Sequence, residues 1–425
     1  MDESQPFAGI RVIEFGQFVV VPYCAQLLAD GGASVTKIEP LEGDAVRQLN
    51  QIVPGETRTF LSRNRGKRSL PIDLRHPDAV SIIDALLRDA DVVLMNFRPG
   101  LAEQIGLDAA TLRARYPRLI IGVGSAFGRQ GPDADRAGMD VVVQARSGLM
   151  VANGRQQEGC PDVGDTTPAD YMCAMTLAFG ITAALLRRER TGQGGEIHTS
   201  LLQAALALNS TQMVRVESID GPTHAAARST LNDQRQAGLD YITIRAQQPS
   251  NRHPSMRKLY FRTYHTSDGW LAVGCGSNRL RRLFIDTVGL SDPAFSDAAI
   301  DNPEQVYESL RLAVERVMAT HTTQHWYSRL DALGVPVSDV KFPVEVFDDP
   351  QLVANDMVRD LDHPSLGTLR LLAAPLTLDE GGFRASPAMP AFASETRTIL
   401  GDLGFAPDHI DKLLQDGVTH HSPSD

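Results

Sequence analysis

The strongest constraint on this chain is an alternation that runs through its first half. Short Val- and Ile-rich segments are separated by segments with helical spacing of apolar residues. "IRVIEF" (Ile10–Phe15) reads as a buried strand, and Pro22 then introduces the helical "YCAQLLADGG", which stops at Gly31 and Gly32. "SVTKIEP" (Ser34–Pro40) is the next strand. "RSLPIDL" precedes the helix-patterned "HPDAVSIIDALLRDA", and "DVVLMNF" (Asp91–Phe97) follows it. "AATLRARYP" and "RLIIGVGSAFG" repeat the helix-strand pair. Strands apolar on both faces belong inside a sheet covered by helices, and parallel strands need crossover helices to join them. The pattern therefore predicts an α/β fold with a parallel sheet and right-handed crossovers.

The texture changes beyond this half. "RRERTGQGGEIHTSLLQAALAL" still supplies a Gly-marked turn, a strand and a helix, but residues 210–258 are polar and weakly periodic. They read as a linker or wrapping segment after a large domain at 1–209. "YFRTYHTSDGWLAVGC" (Tyr260–Cys275) predicts a hairpin turning at Ser267–Gly269. Helices from about Asn278 to Leu333 make a smaller domain at 259–335, and 336–425 is a return segment. A length of 425 residues exceeds what one small core organises.

Composition removes some function classes. A net charge of -11 disfavours nucleic acid or an anionic membrane as the main partner, though it allows an anionic ligand in a local basic pocket. Cys24, Cys160, Cys173 and Cys275 form no CxxC pair, which suits reduced thiols. "MDESQPFAGIRVIEF" has neither the basic nor the apolar region of a signal peptide. The longest uncharged apolar run, Tyr171–Leu186, is short for a membrane span and fits a buried helix. The expectation is a cytoplasmic protein with no membrane and no nucleic-acid partner.

Asp170 is the one charge in "TTPADYMCAMTLAFGITAALL" and stands directly before that apolar run. It reads as a helix cap, with Asp165 as the rival, or as a carboxylate kept ionised by the helix N-terminus for nucleophilic attack. "SRNRGKRSLPIDLR" puts Arg63, Arg65, Lys67 and Arg68 close together, a candidate phosphate site. The loops "EFGQFVVVPY" and "MNFRPG" follow predicted strands, where ligands of open α/β sheets bind, and Arg98 is a further phosphate donor there. "GVGSAFG" lacks the GxGxxG spacing of a dinucleotide site. The eleven histidines are dispersed and suggest no metal site.

Read in order, five stretches resemble the class III CoA-transferase family of the CaiB/BaiF type. They are "GIRVIEFGQFVVVPYCAQLLADGGASVTKIEP", "NRGKRSLPIDLR", "ADVVLMNFRPGLAEQIGLD", "YPRLIIGVGSAFGRQGPDADRAGMDVVVQARSGLM" and "PADYMCAMTLAFGITAALLRRERTGQGGEI". The likeness resumes more loosely at "VFDDPQLVANDMV" and "TILGDLGFAPDHIDKLLQDGV". The resemblance implies a Rossmann-like large domain built from both chain ends, a smaller α+β domain between them, and two chains interlocked as a homodimer. It implies CoA transfer from an acyl-CoA to a carboxylic acid, with Asp170 passing through a mixed anhydride and an aspartyl-CoA thioester. CoA, a substrate here, would lie along Gln17, Phe18, Val19 and Val20, then Ile72, Asp73, Leu74 and Arg75, then Asn96, Phe97 and Arg98, reaching Met139 and Asp140. Lys37, Arg47 and Arg136 are further candidates for its phosphates, and no metal is implied.

The racemase branch of the family carries a histidine in an "AGHD" setting, and here the setting reads "AGMD". Methionine neither donates nor accepts a proton, which weighs against racemisation. An α-methylacyl-CoA racemase or isomerase using Asp170 as base, or a CoA-binding protein without turnover, are the alternatives. The glycine-rich loop of the oxalate-type transferases is not visible, and Phe18, Val19 and Val20 would suit a larger, apolar acyl group.

Overall fold

The computed structural model describes residues 4–248, 253–296, 300–379 and 382–422. They form two compact units, one made of Met1–Arg245 with Ala354–Asp425 and the other of Ala246–Val353.

The first unit is built on six strands: β1 (Arg11–Phe15), β2 (Ser34–Glu39), β3 (Lys67–Pro71), β4 (Val92–Met95), β5 (Ile120–Ser125) and β6 (Gly195–Ser200). All pairings are parallel and the order is β3-β2-β1-β4-β5-β6, with Val12 opposite both Val35 and Val92. Helices α1 (Val20–Asp30), α2 (Ala79–Arg88) and α3 (Ala109–Arg115) are crossovers. This is the parallel α/β sheet that the alternation predicts, in the Rossmann-like form that the family resemblance implies.

Successive strand residues point to opposite faces, so each strand feeds two cores. Val12, Val35, Val92, Leu94 and Ile120 face one core with α1 and the long helix that carries Asp170. Ile13, Ile38, Leu70, Val93 and Ile121 face the other with α2. The second core is closed by the chain's far end, through Ile399, Leu400, Ile410 and Leu413. Backbone bonds tie that end down: Asp73 N–H donates to Val418 O at 2.9 Å, and Thr419 Oγ1 donates to Pro71 O at 2.6 Å.

Helix α4 (Asp140–Ser147) and helix α5 (Pro168–Thr191) follow β5. Pro168 fits the first turn of α5, where its missing N–H costs nothing, and Gly192 at φ +69° takes the left-handed cap that ends it. The 16-residue apolar run is thus part of a 24-residue helix, which by length and composition would span a bilayer. Only one stripe of it is buried, Ala169, Cys173, Ala174, Leu177, Ile181, Ala184 and Leu185 against the first core. Phe179, 75% exposed, and Leu186, 62% exposed, occupy the other side, so the buried helix expected from the run is buried on one face.

Helix α6 (Glu217–Gln236) occupies much of the polar stretch and buries none of its residues. With no face to bury, it needs no apolar periodicity, which is why its helix was invisible in the pattern.

In the second unit, β7 (Phe261–His265) and β8 (Trp270–Gly274) form the antiparallel hairpin predicted from its turn, with His265 opposite Trp270. β9 (Val337–Asp339) pairs with β8. Helices α7 (Asn278–Thr287), α8 (Pro303–Met318) and α9 (Thr323–Asp331) bury Phe284, Tyr307 and Trp326 with Tyr260 and Tyr264. Tyr260 and Tyr307 both donate to Asp292, at 2.6 and 3.0 Å, which satisfies their buried hydroxyls.

Candidate active site

The strand order reverses beside β1, and ligands of open α/β sheets bind beyond the carboxyl ends of the strands at that switch. Two loops are fastened together there. Gln17 N–H donates to Asn96 Oδ1 at 3.1 Å, and Asn96 Nδ2 donates back to Gln17 O at 2.9 Å. Gly16 permits the turn from β1 into α1, since a Cβ there would lie 2.2 Å from Val21 Cγ1. Phe18 holds a left-handed backbone at φ +67°, a strained conformation for a bulky residue that a tightly determined loop can impose. Its side chain is exposed, whereas Val19 and Val20 are buried, with Val20 in the first core. Of the three residues expected to suit an apolar acyl group, only Phe18 has an exposed side chain. The valines are needed to seat α1.

The other sequence-predicted positions divide in the same way. Ile72 is in the second core, Asp73 accepts the Arg75 N–H at 3.0 Å, Leu74 is half-buried, and Arg75 is exposed. Phe97 lies against Phe15 with ring centroids 5.6 Å apart, and Arg98 is exposed in the turn. Met139 is 52% exposed directly before α4, while Asp140, its first residue, is buried.

Asp170 lies in the first turn of α5, and the N-cap is Thr167, so neither Asp170 nor Asp165 is the cap. The end of α5 leads through Gly192–Gly194 to the start of β6. Its first turn therefore lies toward the opposite, carboxyl edge of the sheet. The Asp170 N–H donates to Asp140 Oδ2 at 3.0 Å, and Gln144 Nε2 donates to the other oxygen of Asp140. Burial, followed by the Asp140 charge, pushes the Asp170 carboxyl up to about 7, and Arg63 pulls against both. The sequence reading expected a helix N-terminus that keeps this carboxylate ionised. Desolvation and a neighbouring anion outweigh that dipole here.

The arginine that acts on this carboxylate is linked to two tyrosines. Arg63 Nε donates to Tyr171 Oη at 3.1 Å, and its guanidinium carbon lies 5.4 Å from the Tyr171 ring centroid. Tyr171 meets Tyr23 of α1 edge to face at 4.8 Å. Tyr23, Tyr171 and Gln144 were not singled out in the sequence. Tyr171 carried the one available signal, its place next to Asp170.

The remaining basic residues proposed for phosphates are engaged elsewhere. Arg65 is buried on Asp30, with bonds of 2.9 and 2.6 Å. Lys67 Nζ sits 2.8 Å from Glu14 and donates to Pro22 O at 2.8 Å and Asn64 Oδ1 at 2.7 Å. Lys37 Nζ meets Glu14 at 2.8 Å and Asp44 at 2.9 Å, and donates to Gly16 O at 2.6 Å. Arg47 is buried between Glu39, 2.8 Å away, and the Phe60 ring, 3.6 Å from its centroid. Arg68 pairs with Glu395 at 3.2 Å and Asp402 at 3.1 Å, and Arg136 with Asp133 at 2.8 Å. Four of these cations are buried and matched to carboxylates, as the cost of burying an unpaired charge demands, and they cannot reach a phosphate. Glu14, Lys37 and Glu39 inside apolar strands were the signal, because a charge in a strand covered on both faces must find a partner.

Among the described residues no group of three or more His, Cys, Asp or Glu side chains is arranged to hold a metal ion. The sequence pattern described as CoA-transferase family III matches residues 7–396. An acetyl-CoA:oxalate CoA-transferase of Acetobacter aceti is 30% identical, over 83% of this chain and 85% of its own length. A succinate–glutarate CoA-transferase of Agrobacterium fabrum is 29% identical over 95% and 96% of the two chains. The crystal structure of a CAIB/BAIF family protein from Brucella suis has a TM-score of 0.72 and 25% identity, covering 94% of this chain and 99% of its own. That of Rv3272 from Mycobacterium tuberculosis has a TM-score of 0.73 and 27% identity, with 93% and 99% covered.

Proposed function

The chain belongs to CoA-transferase family III, and from that membership we propose that it moves CoA from an acyl-CoA to a carboxylic acid with Asp170 as the nucleophile. The carrying observation is the Asp170 carboxyl, half-buried beyond the sheet edge, capping nothing, with its backbone fixed by Asp140. A carboxylate raised to about 7 is ionised in a large fraction of molecules at neutral pH, and it is more basic than an ordinary aspartate.

In the first step an Asp170 oxygen attacks the thioester carbonyl. The C–S bond breaks, CoA leaves as thiolate, and a mixed anhydride remains. The thiolate then attacks the Asp170 carbonyl, giving an aspartyl-CoA thioester and releasing the first acid as its carboxylate. The second carboxylate attacks that thioester, displaces the thiolate and forms a new anhydride. The thiolate attacks its acyl carbonyl, which yields the new acyl-CoA and restores Asp170. No proton is consumed in the cycle, so one carboxylate suffices.

The loops at Gln17–Val20, Ile72–Arg75 and Asn96–Arg98, with Met139 and Asp140, form the CoA-binding edge in this reading. The fastening of Gln17 to Asn96 supports it by fixing two of those loops. Relatives named for oxalate and for glutarate support a carboxylic acid as the acceptor class. A homodimer is part of the proposal, supported by the exposed apolar side of α5 at Phe179 and Leu186.

The test is intact-mass spectrometry of the wild type and of Asp170→Asn after mixing with a panel of acyl-CoA thioesters. An acyl or CoA adduct on the wild type that is missing from Asp170→Asn is expected. CoA binding without an adduct from any thioester, and without transfer to any acid, would overturn the proposal. Deuterium wash-in at the α-carbon would then identify proton transfer.

A further inference from the structure

Arg63 is the exception in its stretch of sequence. Its three basic neighbours are neutralised by carboxylates: Arg65 by Asp30, Lys67 by Glu14, and Arg68 by Glu395 and Asp402. Among the described residues Arg63 has no carboxylate partner, and its one side-chain hydrogen bond uses Nε, to Tyr171. It is half-buried, so leaving its charge unmatched is costly unless something else matches it. It also stands near Asp170, whose proton affinity it lowers, yet no ion pair joins the two. The bond to the Tyr171 hydroxyl fixes a guanidinium whose charge is felt at Asp170.

The electrostatics of the site need such a group. Asp140 is a buried carboxylate that already accepts the Asp170 N–H. A second acid entering when Asp170 is a neutral CoA thioester still meets the charge of Asp140 in a desolvated place, and a bare pocket of that kind repels anions. One fixed cation offsets that charge. With Nε held by Tyr171, the Nη1 and Nη2 hydrogens remain as an end-on fork, the geometry that matches the two oxygens of a carboxylate.

We propose that Arg63 is the residue that recognises the carboxylate of the acid substrate, holding it between its free guanidinium nitrogens and Asp170. This rests on the CoA-transfer reading above. In that cycle it binds the acid leaving after the first half and the acid entering for the second. It has no such role toward the neutral thioester.

The experiment measures exchange of a labelled acid into its own acyl-CoA by the full chain, with acetyl-CoA/acetate, succinyl-CoA/succinate and hexanoyl-CoA/hexanoate as the probe pairs. Wild-type protein that exchanges none of them removes the CoA-transfer reading, and this inference with it. For a pair that exchanges, Arg63→Met is expected to raise the KM for the acid at least tenfold and to change the KM for the acyl-CoA less than twofold. Arg63→Lys should restore part of the acid affinity. An unchanged KM for the acid overturns the proposal. So does a rise confined to the acyl-CoA, which would assign Arg63 to CoA, or a fall in kcat alone, which would make it a support for Tyr171. A second measurement needs no variant. Phenylglyoxal modification of wild-type Arg63, read by peptide mass, should be slowed by the free acid, and equal rates with and without acid would also overturn the assignment.

Discussion

Two clusters of charge lie in the same α/β unit and differ in one respect. Around Glu14 every charge is answered: Lys37 and Lys67 share it, Asp44 completes Lys37, and Arg47 rests on Glu39. Around Asp170 the charges do not close, because two carboxylates adjoin and the nearby cation pairs with neither. The first cluster shapes the loop from β1 to α1, since Lys37 holds Gly16 O and Lys67 holds Pro22 O. The second leaves the Arg63 charge without a carboxylate among the described residues. The comparison teaches that a basic residue is informative about ligands only after its internal partners are known.

Breaking the closed cluster should have the largest effect. Glu14→Gln removes the anion shared by two buried lysines, and a loss of about 3–5 kcal/mol of stability is expected in chemical denaturation. A loss below about 1 kcal/mol would mean that Asp44, Asn64 and the carbonyls satisfy those lysines without it.

Changing the open cluster should act in the opposite direction. The folded Asp170 binds its proton more tightly than the unfolded chain does, so its contribution to stability diminishes as pH rises from about 4 to about 7. Asp170→Asn removes that penalty. It should be more stable than wild type by about 1–3 kcal/mol at pH 8, with the difference vanishing near pH 4. Equal stability at both values would show that the site is more hydrated than its burial implies.

The like-charge neighbour can be tested separately. Wild-type kcat/KM should rise with pH through about 7, following ionisation of Asp170. Asp140→Asn keeps an oxygen to accept the Asp170 N–H but removes the charge, and the acid limb should move down by about one pH unit. An unmoved limb would leave burial as the whole cause.

The smallest effect belongs to a surface pair. Arg136 and Asp133 meet at 2.8 Å, but the Arg136 side chain is 63% exposed. Arg136→Ala should leave the midpoint of thermal unfolding unchanged within error, because water and salt screen such pairs. A clear drop would place Arg136 with the closed cluster.

Much of the fold is legible in the sequence. Val- and Ile-rich strands alternating with helices gave the parallel sheet, the Ser267–Gly269 turn gave the hairpin, and Pro168 with Gly192 bracket the long helix. Helix α6 was not legible, since a helix with no buried face leaves no period to read. Asp170 stood out as a lone charge ahead of an apolar run, whereas Tyr23, Tyr171 and Gln144 did not, because nothing local distinguishes them from packing residues.

The sequence by itself determined the strands, their helical crossovers and the place of a carboxylate at a helix start. These depend on spacing and backbone preference, which are local. Tertiary structure alone decided which charges are answered. Asp30 meets Arg65 and Glu395 meets Arg68 across 35 and 327 positions of chain. It also decided that Asp170 holds its proton near neutrality, because burial and a carboxylate 30 positions away overrule the helix end on which it stands.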